Sequence, residues 1–203
     1  VLLSVQFYRD VLPVFTQGDS FMKKNYIIAT KKISALGSFT GRSNTFSPKE
    51  IEEMKEQSFT ESVGAFTPSL FKVSAGLGMQ KAGIHLSTEM FFESVPDEYV
   101  DVSLDNWHFD ESVQVIPIII PRNYLNLYNF GFAQSRNLPK LSEGLMSLIQ
   151  MDIMLRGNGR AEQFKGKIVG FSNRLNTILV PQAFMDWANQ RFAPGKEARP
   201  SRL

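Results

Sequence analysis

Cysteine is absent from the 203 residues, which excludes a disulfide framework and a thiolate zinc site alike. Histidine occurs twice, at His85 and His108, and neither sits in an H-E-x-x-H arrangement. No stretch of roughly 20 uninterrupted apolar residues is present, so no complete membrane-spanning helix is expected. Charge of one sign is also lacking: 22 Lys and Arg against 20 Asp and Glu leave a net charge of +2, with no basic run to track phosphates. Nucleic acid is therefore not an expected partner. There is no Walker A sequence, so ATP is not bound by a P-loop, and no dinucleotide fingerprint follows a strand. The nearest approach to a nucleophile elbow, Gly170-Phe171-Ser172-Asn173-Arg174, puts Gly and Ser at the wrong separation. No catalytic residue, cofactor or metal is expected.

What is abundant is core-forming material. The chain is 43% hydrophobic, with 17 Phe and 8 Met, enough for one large domain or two small ones. Val1 to Phe15 is apolar but broken by Arg9 and Asp10, and it has neither the basic leader nor the cleavage site of a signal peptide. It is expected to be the end of an element cut away or an ordinary packing helix, and the chain a piece of a longer protein. Charge is unevenly placed. Between Leu86 and Pro121 there are eight acidic residues and no Lys or Arg. Such a stretch is either a solvated loop or a surface that guides a protein partner.

Along the chain, Tyr26–Ile33 predicts a strand. Ser47, Pro48 and Glu50 give an N-cap, a first-turn proline and a capping-box acid, opening a short amphipathic helix expected to pack on a sheet. Glu61–Val73, broken at Pro68, and Ile84–Val95 predict further strands. So does Val113–Ile120, which Pro121 stops. Tyr124–Ala133 predicts a helix with Leu125, Tyr128 and Phe132 on one face. Leu148–Arg156 alternates, Gly157-Asn158-Gly159 signals a reversal, and Phe164–Phe171 returns as the partner strand. Thr177–Val180 predicts a strand and Pro181 a helix through Phe192. The order of elements predicts an α+β fold that starts like a ferredoxin-like sandwich.

Three features merit weighing for function. His108 lies among Asp105, Asp110 and Glu111. A buried His108 in a cleft with those carboxylates would favour an enzyme, whereas an open position would count against one. Phe91 and Phe92 fall on opposite faces of a strand, so one of them is expected outside. Tyr124, Tyr128, Phe130 and Phe132 crowd one short segment, either as a core helix or as a contact surface. Tyr124, Tyr128 and Phe130 are the candidate partner contacts.

Several of these segments, in order, resemble a known family. Ile118-Ile119-Ile120-Pro121-Arg122-Asn123-Tyr124 through Gly131, then Phe164-Lys165-Gly166-Lys167-Ile168-Val169-Gly170-Phe171, then Thr177-Ile178-Leu179-Val180-Pro181 before Phe184, are similar to successive elements of MacB-like periplasmic core domains. Ser47-Pro48-Lys49-Glu50-Ile51-Glu52-Glu53-Met54 resembles their first helix. The resemblance implies the extracytoplasmic domain of an FtsX-like ABC-transporter permease, set in the inner membrane and facing the periplasm. It implies no catalytic residues. ATP would be hydrolysed by a separate ATPase subunit or domain, the permease would act as a homodimer or heterodimer, and a periplasmic adaptor or substrate would be engaged. It further implies a juxtamembrane segment over 1–18, a porter-like α/β subdomain over 19–100, an inserted β-rich subdomain over 101–193 and a return over 194–203. The porter-like half is expected to be incomplete, because the sequence stops at Leu203 where a further strand would begin. The alternative reading is a free-standing secreted or cell-surface binding module for a ligand.

Overall fold

A computed structural model describes residues 27–31, 44–79, 84–136 and 138–203, with the side chains of 77–79 and 84–87 excepted. The apolar opening, residues 26, 32 and 33 of the expected strand Tyr26–Ile33, and the His85 side chain lie outside that set. Within it, Thr30 makes a single antiparallel bridge to Arg202 rather than entering a longer strand.

The first helix, α1 (Pro48–Lys55), forms where the capping box predicts it. The Ser47 side chain accepts from the Glu50 backbone N–H at 3.3 Å, and the Glu50 carboxylate accepts from the Ser47 N–H at 2.8 Å. The expected packing on the sheet is not observed. No residue of α1 is buried, and Ile51 faces the terminal segment 197–200 across an open cleft. An eight-residue helix with four charged side chains on its outer face offers too narrow an apolar stripe to cover a sheet.

Eight strands form one mixed sheet: β1 (Thr67–Pro68), β2 (Lys72–Met79), β3 (Ile84–Met90), β4 (Phe92–Ser94), β5 (Val115–Pro121), β6 (Gln150–Gly157), β7 (Arg160–Ser172) and β8 (Ile178–Leu179), in the order β1-β4-β8-β5-β7-β6-β2-β3. The fold is α+β. Strands from residues 115–179 hold the centre and strands from residues 67–94 hold the flanks. The expected strand Ile84–Val95 is divided at Phe91, so that β3 and β4 serve opposite ends of the sheet. Phe92 is fully buried there and Phe91 is 78% exposed.

β5 and β7 run parallel, with a register shift between Ile118 and Ile119. Pro117 is tolerated inside β5 because β8 pairs with β5 at Ile119 alone, so the ladder on that side does not need its missing N–H. The β6–β7 hairpin closes on Asn158 and Gly159, both at positive φ (47° and 70°). That backbone matches the twist of the strands, and Asn-Gly supplies it with little strain.

The alternation of β6 places Met151, Ile153 and Leu155 inside. They meet Phe164 and Ile168 of β7, Ile116 and Ile118 of β5, and Phe184, Met185, Ala188 and Phe192 of the helix α5 (Gln182–Phe192). Trp187 is half-buried and packs against this core, 5.3–6.1 Å between ring centroids from Phe109, Phe164, Phe184 and Phe192. Each fully buried aliphatic or aromatic side chain here contributes about 1.5–3 kcal/mol. A second, smaller core lies around Ile119 and Leu179, covered by Phe66, Val95, Trp107 and Leu175.

The acidic stretch is not simply a solvated loop, because part of it fastens the segment that covers this second core. Asp97 accepts from the Trp107 indole N–H at 3.0 Å. Asp101 accepts from the Ser172 hydroxyl at 2.6 Å and the Asn173 N–H at 3.0 Å. Glu93, in β4, accepts from the Thr177 hydroxyl at 2.5 Å and pairs with Arg202.

The terminal residues close the molecule. Ala29 and Leu203 exchange two backbone hydrogen bonds, of 3.0 and 3.1 Å. The Phe46 N–H donates to the Pro200 carbonyl at 2.7 Å and the Phe66 N–H to the Arg202 carbonyl at 3.1 Å. Arg202 also lies over the Phe66 ring, 4.5 Å from its centroid.

Candidate functional site

The connection from β5 to β6, residues 122–148, leaves the sheet as an arm. Pro121 opens α2 (Arg122–Asn126), a π-helical turn follows over Leu127–Phe132, then α3 (Ala133–Ser135) and, after a loop, α4 (Glu143–Met146). The arm is held to the main core by Leu125, Leu141 and Met146, and within itself by polar contacts. The Asn129 amide donates to the Leu141 carbonyl at 2.8 Å and accepts from the Leu141 N–H at 2.7 Å. The Tyr128 hydroxyl donates to the Pro139 carbonyl at 3.2 Å. Arg122 pairs with Glu143 at 2.5 Å.

The π-helical turn changes which residues face inward. Leu125 and Ala133 are the buried positions of this segment. Tyr128 and Phe132, expected to share the inner face with Leu125, do not: Tyr128 is half-buried and Phe132 is 37% exposed. Widening the turn from i→i+4 to i→i+5 rotates every later side chain away from α-helical phase. The arm exposes apolar side chains both within this turn and outside it. Tyr124, Leu127, Phe130, Phe132, Leu145 and Leu148 are all exposed, Leu127 at 67% and Leu148 at 79%. Of the three candidate contacts, Tyr124 and Phe130 stand on this surface, while Tyr128 is turned against the loop it bonds.

Sequence reasoning overlooked Leu127, Leu145 and Leu148, and also the two cations. Lys140 sits over the Phe130 ring at 5.0 Å, and Arg136 over the Phe132 ring at 5.2 Å. An α-helical template assigned Leu127 no special face, and no local pattern joins residue 130 to residue 140.

His108 lies elsewhere and is exposed, in a shallow cleft with Asn106, Asp110, Val113, Val115, Pro117, Lys167 and Val169. Hydrogen bonds from the Ser112 hydroxyl and N–H hold the Asp110 carboxyl below its ordinary value. Asp110 is thus engaged by Ser112, and His108, Asp105 and Glu111 do not close on a common point. Among the described residues no group of three or more His, Asp or Glu side chains is placed to hold a metal ion.

Residues 27–203 match the family described as "Probable transporter periplasmic core domain". The chain belongs to that family. The match takes in every element of the sheet, the arm and the closing terminal segment, and it agrees with the resemblance of the sequence to MacB-like periplasmic core domains. This periplasmic core domain has no match among curated proteins and none among solved structures. No helix among the described residues is long and apolar enough to cross a membrane.

Proposed function

We propose that this transporter periplasmic core domain is the extracytoplasmic part of an FtsX-like ABC permease and that it is non-catalytic. In this reading it passes movement between the membrane and a periplasmic partner or substrate, while an ATPase subunit or domain on the cytoplasmic side hydrolyses ATP. The permease, a homodimer or heterodimer, is anchored in the inner membrane. The family assignment supports the transport setting. The observation that carries the coupling role is the arm: an exposed apolar surface mounted directly on the C-terminal end of the central strand β5. Contact surfaces of this composition are enriched in aromatic residues. Tyr124 and Phe130 would make the contact, and Tyr128 would hold the loop behind them.

The test is fractionation of the parent protein, expressed from its own gene. Carbonate-resistant membrane association, with vanadate-sensitive ATP turnover copurifying, is the expected result. Recovery of the parent protein free in the periplasm, without ATPase activity, would discard the permease reading in favour of a free-standing binding module.

A further inference from the structure

We infer that the arm's apolar surface docks on the face of an anionic phospholipid bilayer. The inference names the partner of the surface just described and rests on that reading for its biological setting.

Two observations favour a lipid surface. First, the exposed groups are of the kind that partition at a bilayer interface: leucine and phenylalanine side chains beside a tyrosine, drawn from two short helical pieces and the π-helical turn between them. Second, the charge is complementary. Residues 122–148 contain Arg122, Arg136 and Lys140 against one carboxylate, Glu143. Glu143 is paired with Arg122. That leaves Arg136 and Lys140, both exposed and both lying over the rings of the surface itself. Cations whose stems run along apolar side chains can keep their heads at phosphate level while the rings enter the acyl boundary.

The experiment is cosedimentation of the 203-residue chain with vesicles of phosphatidylcholine alone and with vesicles containing one third phosphatidylglycerol, at low and at physiological salt. Binding to the anionic vesicles is expected, weakened by salt. Leu127→Ser with Phe130→Ser should weaken it by about tenfold or more. Arg136→Gln with Lys140→Gln should weaken it by about fivefold for each charge removed. Phe91→Ser removes a more exposed phenylalanine outside the arm and should change nothing. Each variant's thermal melt identifies any loss through unfolding.

Absence of sedimentation with either vesicle, or sedimentation indifferent to the Leu127/Phe130 pair, overturns the inference. Concentration-dependent self-association abolished by that pair would assign the surface to a second copy instead. Because the readout requires no transport, the permease reading stands or falls separately.

Discussion

Arg202 ties the closing segment to the sheet, and removing its guanidinium tests how that segment is held. Glu93 is 13% exposed at its side chain and Arg202 24%. Truncating one partner of a buried pair costs about 3–5 kcal/mol when the remaining charge has no other partner. Glu93 keeps the Thr177 hydroxyl at 2.5 Å, and the pair is not wholly dry, so Arg202→Met should cost about 2–3 kcal/mol. Methionine retains an apolar stem over Phe66, so most of this loss comes from the stranded carboxylate. For a chain of this length each kcal/mol moves the melting temperature by about 2–4 °C, which predicts a fall of about 5–10 °C. Urea unfolding should show a lower midpoint at an unchanged slope. Glu93→Gln on top of Arg202→Met removes the stranded charge and should restore more than about 1 kcal/mol, a coupling that a double-mutant cycle measures directly. If Arg202→Met melts within a degree of the parent, or the double variant is simply additive, the ion pair does not hold the terminal segment and the reasoning fails.

Other substitutions probe separate parts of the fold. Ile153→Ala, at a fully buried centre of the main core, should destabilise by about 2–5 kcal/mol in denaturant titration. Gly157→Ala would drive a methyl group into the backbone of Phe192, with that residue's Cβ only 2.9 Å away. It should cost about 1–3 kcal/mol, whereas Gly144→Ala meets open space and should be neutral or stabilising by up to about 1 kcal/mol. Equal melting temperatures for these two alanine variants would contradict the close approach of the hairpin to α5. Glu50 is lowered from its ordinary 4.5 to about 2, first by its bond to Lys31 and then by those from Ser47. A carboxyl lowered in the folded state stabilises above its unfolded value and loses that contribution as pH falls toward 2. Glu50→Gln should therefore flatten the pH dependence of stability between about pH 5 and 2, measured by thermal melts across that range.

The legible parts of the fold were those written in local chemistry. The capping box at Ser47 and Glu50, the Asn158-Gly159 reversal, the alternation ending at Leu155, and the Pro181 start of α5 each depend on residues within one or two turns. Sheet order was not legible in the same way. Nothing near Phe91 announces that β3 and β4 separate to opposite ends of the sheet, because β4 is placed by β8, 86 residues on, and β3 follows its hairpin partner β2, which β6 places from about 80 residues away. The candidate surface was half visible. The aromatic crowding at 124–132 marked the right segment, but 3.6-residue phase put Tyr128 and Phe132 inside, and a π-helical turn has no strong sequence signature. Leu145 and Leu148 join the exposed set only because the arm turns back at Leu141, and the partners that fix that turn, Asn129 and Pro139, lie on either side of a loop. Glu93 and Arg202, 109 positions apart, show no pattern at all until the chain is folded.

The exchange of hydrogen bonds between Ala29 and Leu203 has a mechanical meaning. In an antiparallel pair the stretch preceding Ala29 and the direction onward from Leu203 point to the same side. A pull that separates these two flanks loads the bonds in sequence, like a zipper, so they yield at low force. A pull on both flanks together loads Arg202, Phe66 and β4 side by side, in shear, and reaches the sheet intact. The pairing of Ala29 with Leu203 therefore resists a common displacement of these two strands better than their separation, much as a clutch engages in one direction and slips in the other.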